Sequence, residues 1–201
     1  MILLSLDLLG TFAFAITGAV KASNRGLDWF GTIVLALVTG TGGGIMRDAL
    51  LGYHPPIVFQ KPIYFIVCIS AAILTIIVQR KILSKWIFVM VADAIGLGTF
   101  SAIAARYAET AGAGGLAIIS LTVLTAVGGG ILRDILAGEI PQVLKSDFYA
   151  TAALIGGIFY WAFGFITSEF HELKLFLTIA LTILLRLYAM FAKLNLPKTK
   201  G

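Results

Sequence analysis

Long apolar stretches separated by short polar breaks dominate the hydrophobic pattern of this chain. A helix that crosses the hydrocarbon core of a membrane needs about 20 mostly apolar residues. The polar breaks are rich in glycine, proline and charged residues, which favour turns. The pattern therefore predicts an all-α membrane protein with seven transmembrane helices. They lie at about residues 2–20, 29–51, 62–79, 86–105, 113–137, 148–167 and 174–192.

The composition supports this prediction and leaves no room for a soluble domain. Hydrophobic residues make up 59% of the 201 positions and charged residues 12%, with a mean hydropathy of +0.99. Soluble domains are about 45–50% apolar and about 25% charged. The net charge of +5 comes without a basic stripe or a nucleic-acid-binding motif, so we expect membrane lipids as partners and no nucleic acid.

The chain also contains an internal repeat with a spacing of 86 residues. The segment GGGIMRDALLG at 42–52 returns as GGGILRDILAG at 128–138. Equivalent residues continue without a gap from Asp7 and Asp93 to the prolines that follow these segments. The same glycine-rich, charged sequence thus occurs twice in an otherwise apolar chain.

The number of spans in each copy determines how the two copies are related. Each copy contains three spans, an odd number, so the second must enter the membrane from the opposite face. We predict two inverted three-helix repeats, residues 1–85 and 86–170, followed by a seventh helix and tail, residues 171–201. Inverted repeats are typical of transporters that bind their cargo near the membrane midplane.

The basic residues predict the orientation of the chain in a cell membrane. Ten fall on one face and four on the opposite face, while Arg186 lies within the seventh span. Because basic residues favour the cytoplasmic side, we expect an external amino terminus and a cytoplasmic carboxyl terminus. The ten are Lys21, Arg25, Arg80, Lys81, Lys85, Arg133, Lys145, Lys193, Lys198 and Lys200, and the four are Arg47, Lys61, Arg106 and Lys174.

Two glycine triplets interrupt the second and fifth spans at equivalent positions. Each glycine costs a helix about 1 kcal/mol relative to alanine. Such glycines can serve close helix packing. Because both triplets recur at equivalent positions and each precedes an Arg-Asp pair, we expect instead a kink or local unwinding that exposes backbone groups to a water-filled path. Nearby threonines could add hydroxyl oxygens to this path, or could bond the carbonyl one turn back. The candidate pore and kink residues are Gly42, Gly43, Gly44, Gly128, Gly129, Gly130, Thr39, Thr41 and Thr125.

Ionisable residues accompany the triplets at matched depths in the two repeats. We predict contacts of Asp7 with Arg47 and of Asp93 with Arg133 across the helices. The alternative is local pairing, in which each arginine contacts the aspartate that follows it, Asp48 or Asp134. Such charges either lock helices together or line an ion or substrate path, and both interpretations stay open at this stage. Arg186 could reach the cytoplasmic interface or pair with a carboxylate.

Two copies of a three-helix unit with GGGxxRD on the second helix, plus a seventh helix, resemble the prokaryotic trimeric intracellular cation (TRIC) channels. The resemblance covers residues 1–192. It implies a homotrimer with one hourglass pore per subunit, lined by the first, second, fourth and fifth spans. It also implies conduction of monovalent cations, potassium above all, and a constriction near the kinked glycine segments, with Arg47 and Arg133 as the associated charges.

The sequence leaves two classes of function open. The first is a passive potassium-permeable channel, because carbonyl and hydroxyl oxygens can replace part of a cation's hydration shell. The second is a secondary transporter of a small zwitterion such as glycine, since members of this family are also described as a glycine transporter domain. HxxxH, GxSxG, P-loop and Cys/His motifs do not occur. We therefore expect no enzyme activity, no cofactor and no metal beyond transient monovalent cations.

Overall fold

The computed structural model describes residues 2–78, 86–145, 148–166 and 170–192, and the regular structure within these ranges is helical. The helices are α1 (Ile2–Asn24), α2 (Trp29–Leu50), α3 (Ile57–Gln60), α4 (Ile63–Ile77), α5 (Trp86–Thr110), α6 (Gly115–Leu136), α7 (Gln142–Lys145), α8 (Tyr149–Phe163) and α9 (His171–Phe191).

Five of the seven predicted spans each correspond to a long apolar helix of their own. Five helices, α1, α2, α5, α6 and α9, are long and apolar enough to cross a membrane. The helices α4 and α8 have 15 residues each, a length of about 22 Å, which is less than the roughly 30 Å hydrocarbon core. Each follows a one-turn helix, α3 or α7, that the hydrophobic pattern does not predict. The chain is thus an all-helical membrane protein.

The helices of the two halves pack in the same arrangement. In the first half α1 contacts α2 and α4, and in the second half α5 contacts α6 and α8. The halves join where α1 packs against α5 and α2 against α6. Helix α9 packs against α5 and α8. It therefore covers the second half.

Reciprocal contacts relate the halves to each other. A Cβ atom added at Gly43 would collide with the carbonyl oxygen of Thr125, and one added at Gly129 would collide with the carbonyl oxygen of Thr39. Both pairs exchange when 86 is added to the residue number. A two-fold axis produces such reciprocal contacts. If one residue contacts a second, then the repeat equivalent of the first contacts the repeat equivalent of the second. This axis passes where α2 crosses α6 at the glycine triplets.

The glycine triplets lie inside continuous helices. Helix α2 runs through Gly42–Gly44 and α6 runs through Gly128–Gly130, so the prediction of local unwinding is wrong. Their low helix propensity is offset by packing, because the absence of side chains lets the two helix backbones approach closely. A kink at either triplet stays a prediction.

The structure also changes the basis of the orientation argument. Arg47, Arg133 and Lys174 are buried, between 2% and 4% exposed, and contact other side chains of the protein. They therefore add little to the charge of either face. Six of the counted residues lie outside the described residues, namely Arg80, Lys81, Lys85, Lys193, Lys198 and Lys200.

Candidate functional site

The first ion cluster consists of Asp7 on α1 with Arg47 and Asp48 on α2. Arg47 Nε and Nη2 lie 2.9 and 2.8 Å from Asp48 Oδ1, and Arg47 Nη1 lies 3.8 Å from Asp7 Oδ2. The hydroxyl of Tyr64, on α4, donates to Asp7 Oδ2 at 2.7 Å. The second oxygen of Asp48 accepts the backbone N–H of Ile57 at 2.8 Å, which anchors the start of α3. All three ionic side chains are buried.

The second ion cluster repeats this arrangement with Asp93 on α5 and with Arg133 and Asp134 on α6. Arg133 Nε donates to Asp134 Oδ1 at 2.9 Å, and Nη1 lies 3.2 Å from Asp93 Oδ1. The Tyr149 hydroxyl donates to Asp93 at 3.2 Å, as Tyr64 does in the first cluster. Asp134 Oδ2 accepts the backbone N–H of Gln142 at the start of α7.

The two pairing schemes considered for the sequence therefore coexist. Each arginine contacts the aspartate that follows it and also the aspartate on the neighbouring helix. A guanidinium carries five N–H donors in a planar fork, which is enough for two carboxylates at once. Each cluster thus joins two carboxylates to one arginine, and in the second cluster Lys21 also lies 3.8 Å from Asp134.

The surroundings of the two arginines differ. The guanidinium of Arg47 lies 4.1 Å from the centre of the Tyr107 ring, a distance that suits a cation–π interaction. Arg133 instead donates to the hydroxyl of Thr17 at 3.0 Å. Arg186 lies 4.5 Å above the ring of Tyr149 and is only 1% exposed, so it does not extend to the interface as one prediction allowed. The two repeats therefore share the same ionic contacts, but the side chains that surround these contacts differ between them.

The volume of the cavity beside each cluster differs as well. A cavity of about 280 Å³ opens beside the second cluster, and Asp93, Arg133, Thr17 and Arg186 line it. The cavity beside the first cluster has only about 10 Å³. Among the described residues, the buried Oδ2 of Asp93 has no hydrogen-bond partner, so it can accept one from a ligand or water.

An aromatic pair separates the two clusters. The rings of Phe14 and Phe100 pack edge to face with centroids 5.3 Å apart, and both side chains are fully buried. Phe14 packs against Gly96, and Phe100 against Gly10. The centre of the molecule, between the two ion clusters, is therefore filled by side chains in this structure.

The predicted glycines and threonines divide into different roles. Gly43 and Gly129 face the opposite helix, whereas Gly44 lies beside Arg47, and Gly130 beside the Tyr149 hydroxyl and Arg133. Gly42 faces the side chain of Leu132, and Gly128 faces that of Met46. The glycine triplets thus serve both the helix crossing and the ion clusters. The hydroxyls of Thr39 and Thr41 donate to carbonyls four residues back, and Thr125 Oγ1 has no hydrogen-bond partner among the described residues.

The side chains at the two ends of the region that contains both ion clusters occupy equivalent repeat positions but differ in type. On one side Lys21 contacts Glu139 at 2.6 Å and Asp134 at 3.8 Å, and Arg25 also contacts Glu139. The hydrogen bond from Lys21 is the largest influence that holds the pKa of Glu139 below its usual value. On the other side the repeat equivalents are Tyr107 and Tyr53, whose rings pack edge to face at 6.1 Å. An ion pair thus occupies one end and an aromatic pair the other.

Sequence reasoning missed several side chains of this site. Tyr64 and Tyr149 bind the two aspartates, yet they are 85 residues apart and escape a search at the exact repeat spacing. Thr17 lies in a predicted apolar span and Tyr107 in the break that follows the fourth predicted span, and neither belongs to a motif. The one available signal was the repeat itself, because positions 21 and 107, like 53 and 139, are equivalent and differ in chemistry.

Fold and site together define an internally duplicated, all-helical membrane protein with two buried ion clusters about a pseudo-two-fold axis. The chain belongs to the family described as Glycine transporter, whose model matches residues 4–80 and 90–164, and this is the family of the TRIC channels. Each matched segment contains one glycine triplet.

Individual relatives agree with this assignment over almost the whole chain. The inner membrane protein YadS of Escherichia coli (strain K12) is 39% identical, over 98% of this chain and 96% of the relative. A TRIC cation channel whose structure was solved to explain conductance is 36% identical to this chain. The two structures superpose with a TM-score of 0.89 over 98% of this chain and 96% of the channel. The TRIC orthologue from Rhodobacter sphaeroides has 36% identity and a TM-score of 0.90, covering 96% and 99%.

Proposed function

We propose that this protein is a potassium-permeable monovalent cation channel. The observation that carries the proposal is the pair of buried ion clusters at equivalent positions in a fold that closely matches solved TRIC cation channels. Buried charges in a membrane protein are costly, and they commonly mark a path for ions or substrate. Among the described residues, Asp93 Oδ2 has no hydrogen-bond partner and lies beside a cavity, which supports a place for this carboxylate on such a path.

The proposed path runs from the cavity beside Asp93, past the Phe14–Phe100 pair, to the space beside Asp7. Its narrowest part lies where α2 and α6 cross, so the pore has the shape of an hourglass. The cavity volumes, about 280 Å³ and about 10 Å³, support a path that is wide beside Asp93 and narrow beside Asp7. Conduction then requires the central aromatic pair and the first half to open.

The proposed placement in the membrane has seven crossings, in two inverted repeats, residues 1–85 and 86–170, and a final helix with its tail, residues 171–201. The short helices α4 and α8 cross together with the one-turn helices that precede them. Seven crossings place the termini on opposite sides, with the amino terminus outside and the carboxyl terminus in the cytoplasm. By analogy with the TRIC structures, which are trimeric, three subunits assemble and each contains its own pore.

A second candidate is a secondary transporter of glycine, and the family description favours it. The larger cavity presents a carboxylate, Asp93, and a guanidinium, Arg133, within a few ångströms of each other. These groups suit the ammonium and the carboxylate of a small zwitterion. The packing of α1 against α5 and of α2 against α6 argues against it, because it leaves the halves little freedom to rock.

The experiment that separates the candidates is the reversal potential of the purified protein in planar bilayers. Under a KCl gradient, and then with potassium opposed to sodium, a channel gives discrete steps that reverse near the potassium potential. A silent bilayer, combined with saturable uptake of labelled glycine into liposomes, would replace the channel with the transporter. Silence in both assays would contradict both candidates.

The variant Asp93→Asn links the measured current to the site. It keeps the shape of the side chain but removes the negative charge from the wall of the cavity, so we expect a lower ratio of cation to anion permeability. The matched control is Glu172→Gln, which removes an exposed carboxylate outside the ion clusters. An equal effect of both variants would show that the current does not pass Asp93.

A further inference from the structure

A third group of ionic side chains lies outside the two clusters, at the end of the molecule where α1 begins. Glu109, near the end of α5, accepts hydrogen bonds from Lys174 on α9 at 2.5 Å and from Tyr160 on α8 at 2.8 Å. Arg106, one turn earlier on α5, donates to Glu109 at 2.8 Å. Lys174 is only 2% exposed, and its ammonium lies 4.0 Å from the centre of the Tyr160 ring. These contacts hold the first turn of α9 against α5 and α8.

His171, the first residue of α9, completes this group. Its Nδ1 lies 3.0 Å from Arg106 Nη1. A guanidinium can only donate hydrogen bonds, so Nδ1 must accept, and the imidazole is therefore neutral in this arrangement. The side chain is exposed and can exchange protons with the solvent.

We propose that His171 is a proton sensor that controls how firmly the start of α9 is held. Histidine changes its charge between pH 5 and pH 8. Protonation turns Nδ1 into a donor and places two cations 3.0 Å apart, and their repulsion moves Arg106 away from His171 and from its contact with Glu109. Glu109 then loses one of its three hydrogen-bond donors, and the first turn of α9 is held less firmly.

Among the residues that the structure describes, the polar groups around His171 are of other chemical types. The described polar groups that face this site from the helices packed around it are Arg106 and Glu109 on α5, Tyr160 on α8, and Glu172 and Lys174 on α9, and α1 contributes the apolar Ile2 and Leu3. Carboxyl groups ordinarily titrate near pH 4, and lysine and tyrosine near pH 10. The test therefore compares pH 7.5 with pH 5.5, and a variant of His171 separates its response from that of other groups.

The device acts on a helix that also contacts the candidate pore. Arg186 lies fifteen residues after His171 on α9, about 22 Å along the helix axis, and lines the cavity beside Asp93. The sensor itself does not depend on the proposed channel function, because its readout is local.

The test is hydrogen exchange of backbone amides in the first two turns of α9, expressed as protection factors, at pH 7.5 and pH 5.5 on the full-length protein in nanodiscs. We expect protection in the wild type to fall about fivefold at the lower pH, the size expected for loss of one hydrogen bond. In His171→Asn the amide oxygen preserves the acceptor without titrating, so its protection should not depend on pH. His171→Lys, a permanent cation, should show the low protection at both pH values.

The matched control is His54→Asn, which removes the other histidine of the chain and should leave the pH response intact. Equal protection of the wild type at both pH values would overturn the proposal. A pH response that persists in His171→Asn, or that disappears in His54→Asn, would overturn it as well.

Discussion

Phe14 and Phe100 lie 86 residues apart in the chain and edge to face in the structure, with ring centroids 5.3 Å apart. They are repeat equivalents that meet each other, so the pseudo-two-fold axis passes close to this pair. The pair separates a cluster that has an open cavity from one that does not. The proposed conduction path passes these two rings.

The first prediction concerns this aromatic pair. Replacing Phe100 with alanine should raise single-channel conductance, because it removes one of the two rings that fill the centre of the path. The same change should destabilise the protein by about 3–5 kcal/mol through the cavity that it leaves. Planar-bilayer recording and thermal unfolding measure the two effects. Phe159→Ala, in the pair with Phe163 on α8, is the control and should leave conductance unchanged.

The second prediction separates neighbouring glycines of one triplet. A Cβ atom at Gly43 would collide with the backbone carbonyl of Thr125, which cannot move without separating α2 from α6. Gly43→Ala should therefore destabilise the protein by about 1–3 kcal/mol. At Gly44 the nearest atom is Arg47 Nη2 at 3.8 Å, so Gly44→Ala should be tolerated. Thermal unfolding of the two variants in detergent compares them, and equal losses would contradict this account of the crossing.

The third prediction ranks the two carboxylates around Arg47. Asp48 accepts one hydrogen bond from Arg47 Nε and one from the backbone of Ile57, and Arg47 Nη2 lies 2.8 Å from it, whereas Asp7 lies 3.8 Å from the guanidinium. Asp48→Asn should therefore cost more stability than Asp7→Asn, within the roughly 3–5 kcal/mol that breaking a buried ion pair costs. Chemical or thermal unfolding of both variants in the same detergent gives the ranking. The reverse order would mean that Asp7 is the main partner of Arg47.

The fourth prediction concerns pH and the ion pair between Lys21 and Glu139. The pKa of Glu139 is lower in the folded protein than its ordinary 4.5, first because Lys21 donates a hydrogen bond to it. A lowered pKa stabilises the folded state above the ordinary value, and this contribution is lost as the pH falls through the folded value. Since the pair is partly exposed, we expect a contribution of about 0–1 kcal/mol.

Thermal unfolding between pH 6 and pH 3 measures this contribution. The midpoint for the wild type should fall more steeply below about pH 4.5 than that for Glu139→Gln, which cannot ionise. Glu172→Gln, at an exposed carboxylate, should follow the wild type. Parallel curves for the wild type and Glu139→Gln would show that the ion pair does not stabilise the fold.

The hydrophobic pattern by itself determined the class of this protein and its duplication. Apolar stretches of about 20 residues are sufficient to predict membrane helices, because the bilayer imposes length and hydrophobicity directly on the sequence. The repeat of GGGxxRD at a spacing of 86 residues then identified the glycines, aspartates and arginines of both ion clusters. It also indicated which aspartate and arginine would meet, and both predicted contacts are present.

Tertiary structure alone decided what surrounds these residues. Whether glycine triplets unwind a helix or let two helices cross depends on the neighbouring backbone, here the carbonyls of Thr39 and Thr125. The partners Thr17, Tyr107 and Arg186 reach their arginines or tyrosines from other helices, so local sequence carries no trace of the contacts. The difference in cavity volume between the two clusters arises in the same way, because cavity volume depends on side chains that converge from distant parts of the chain.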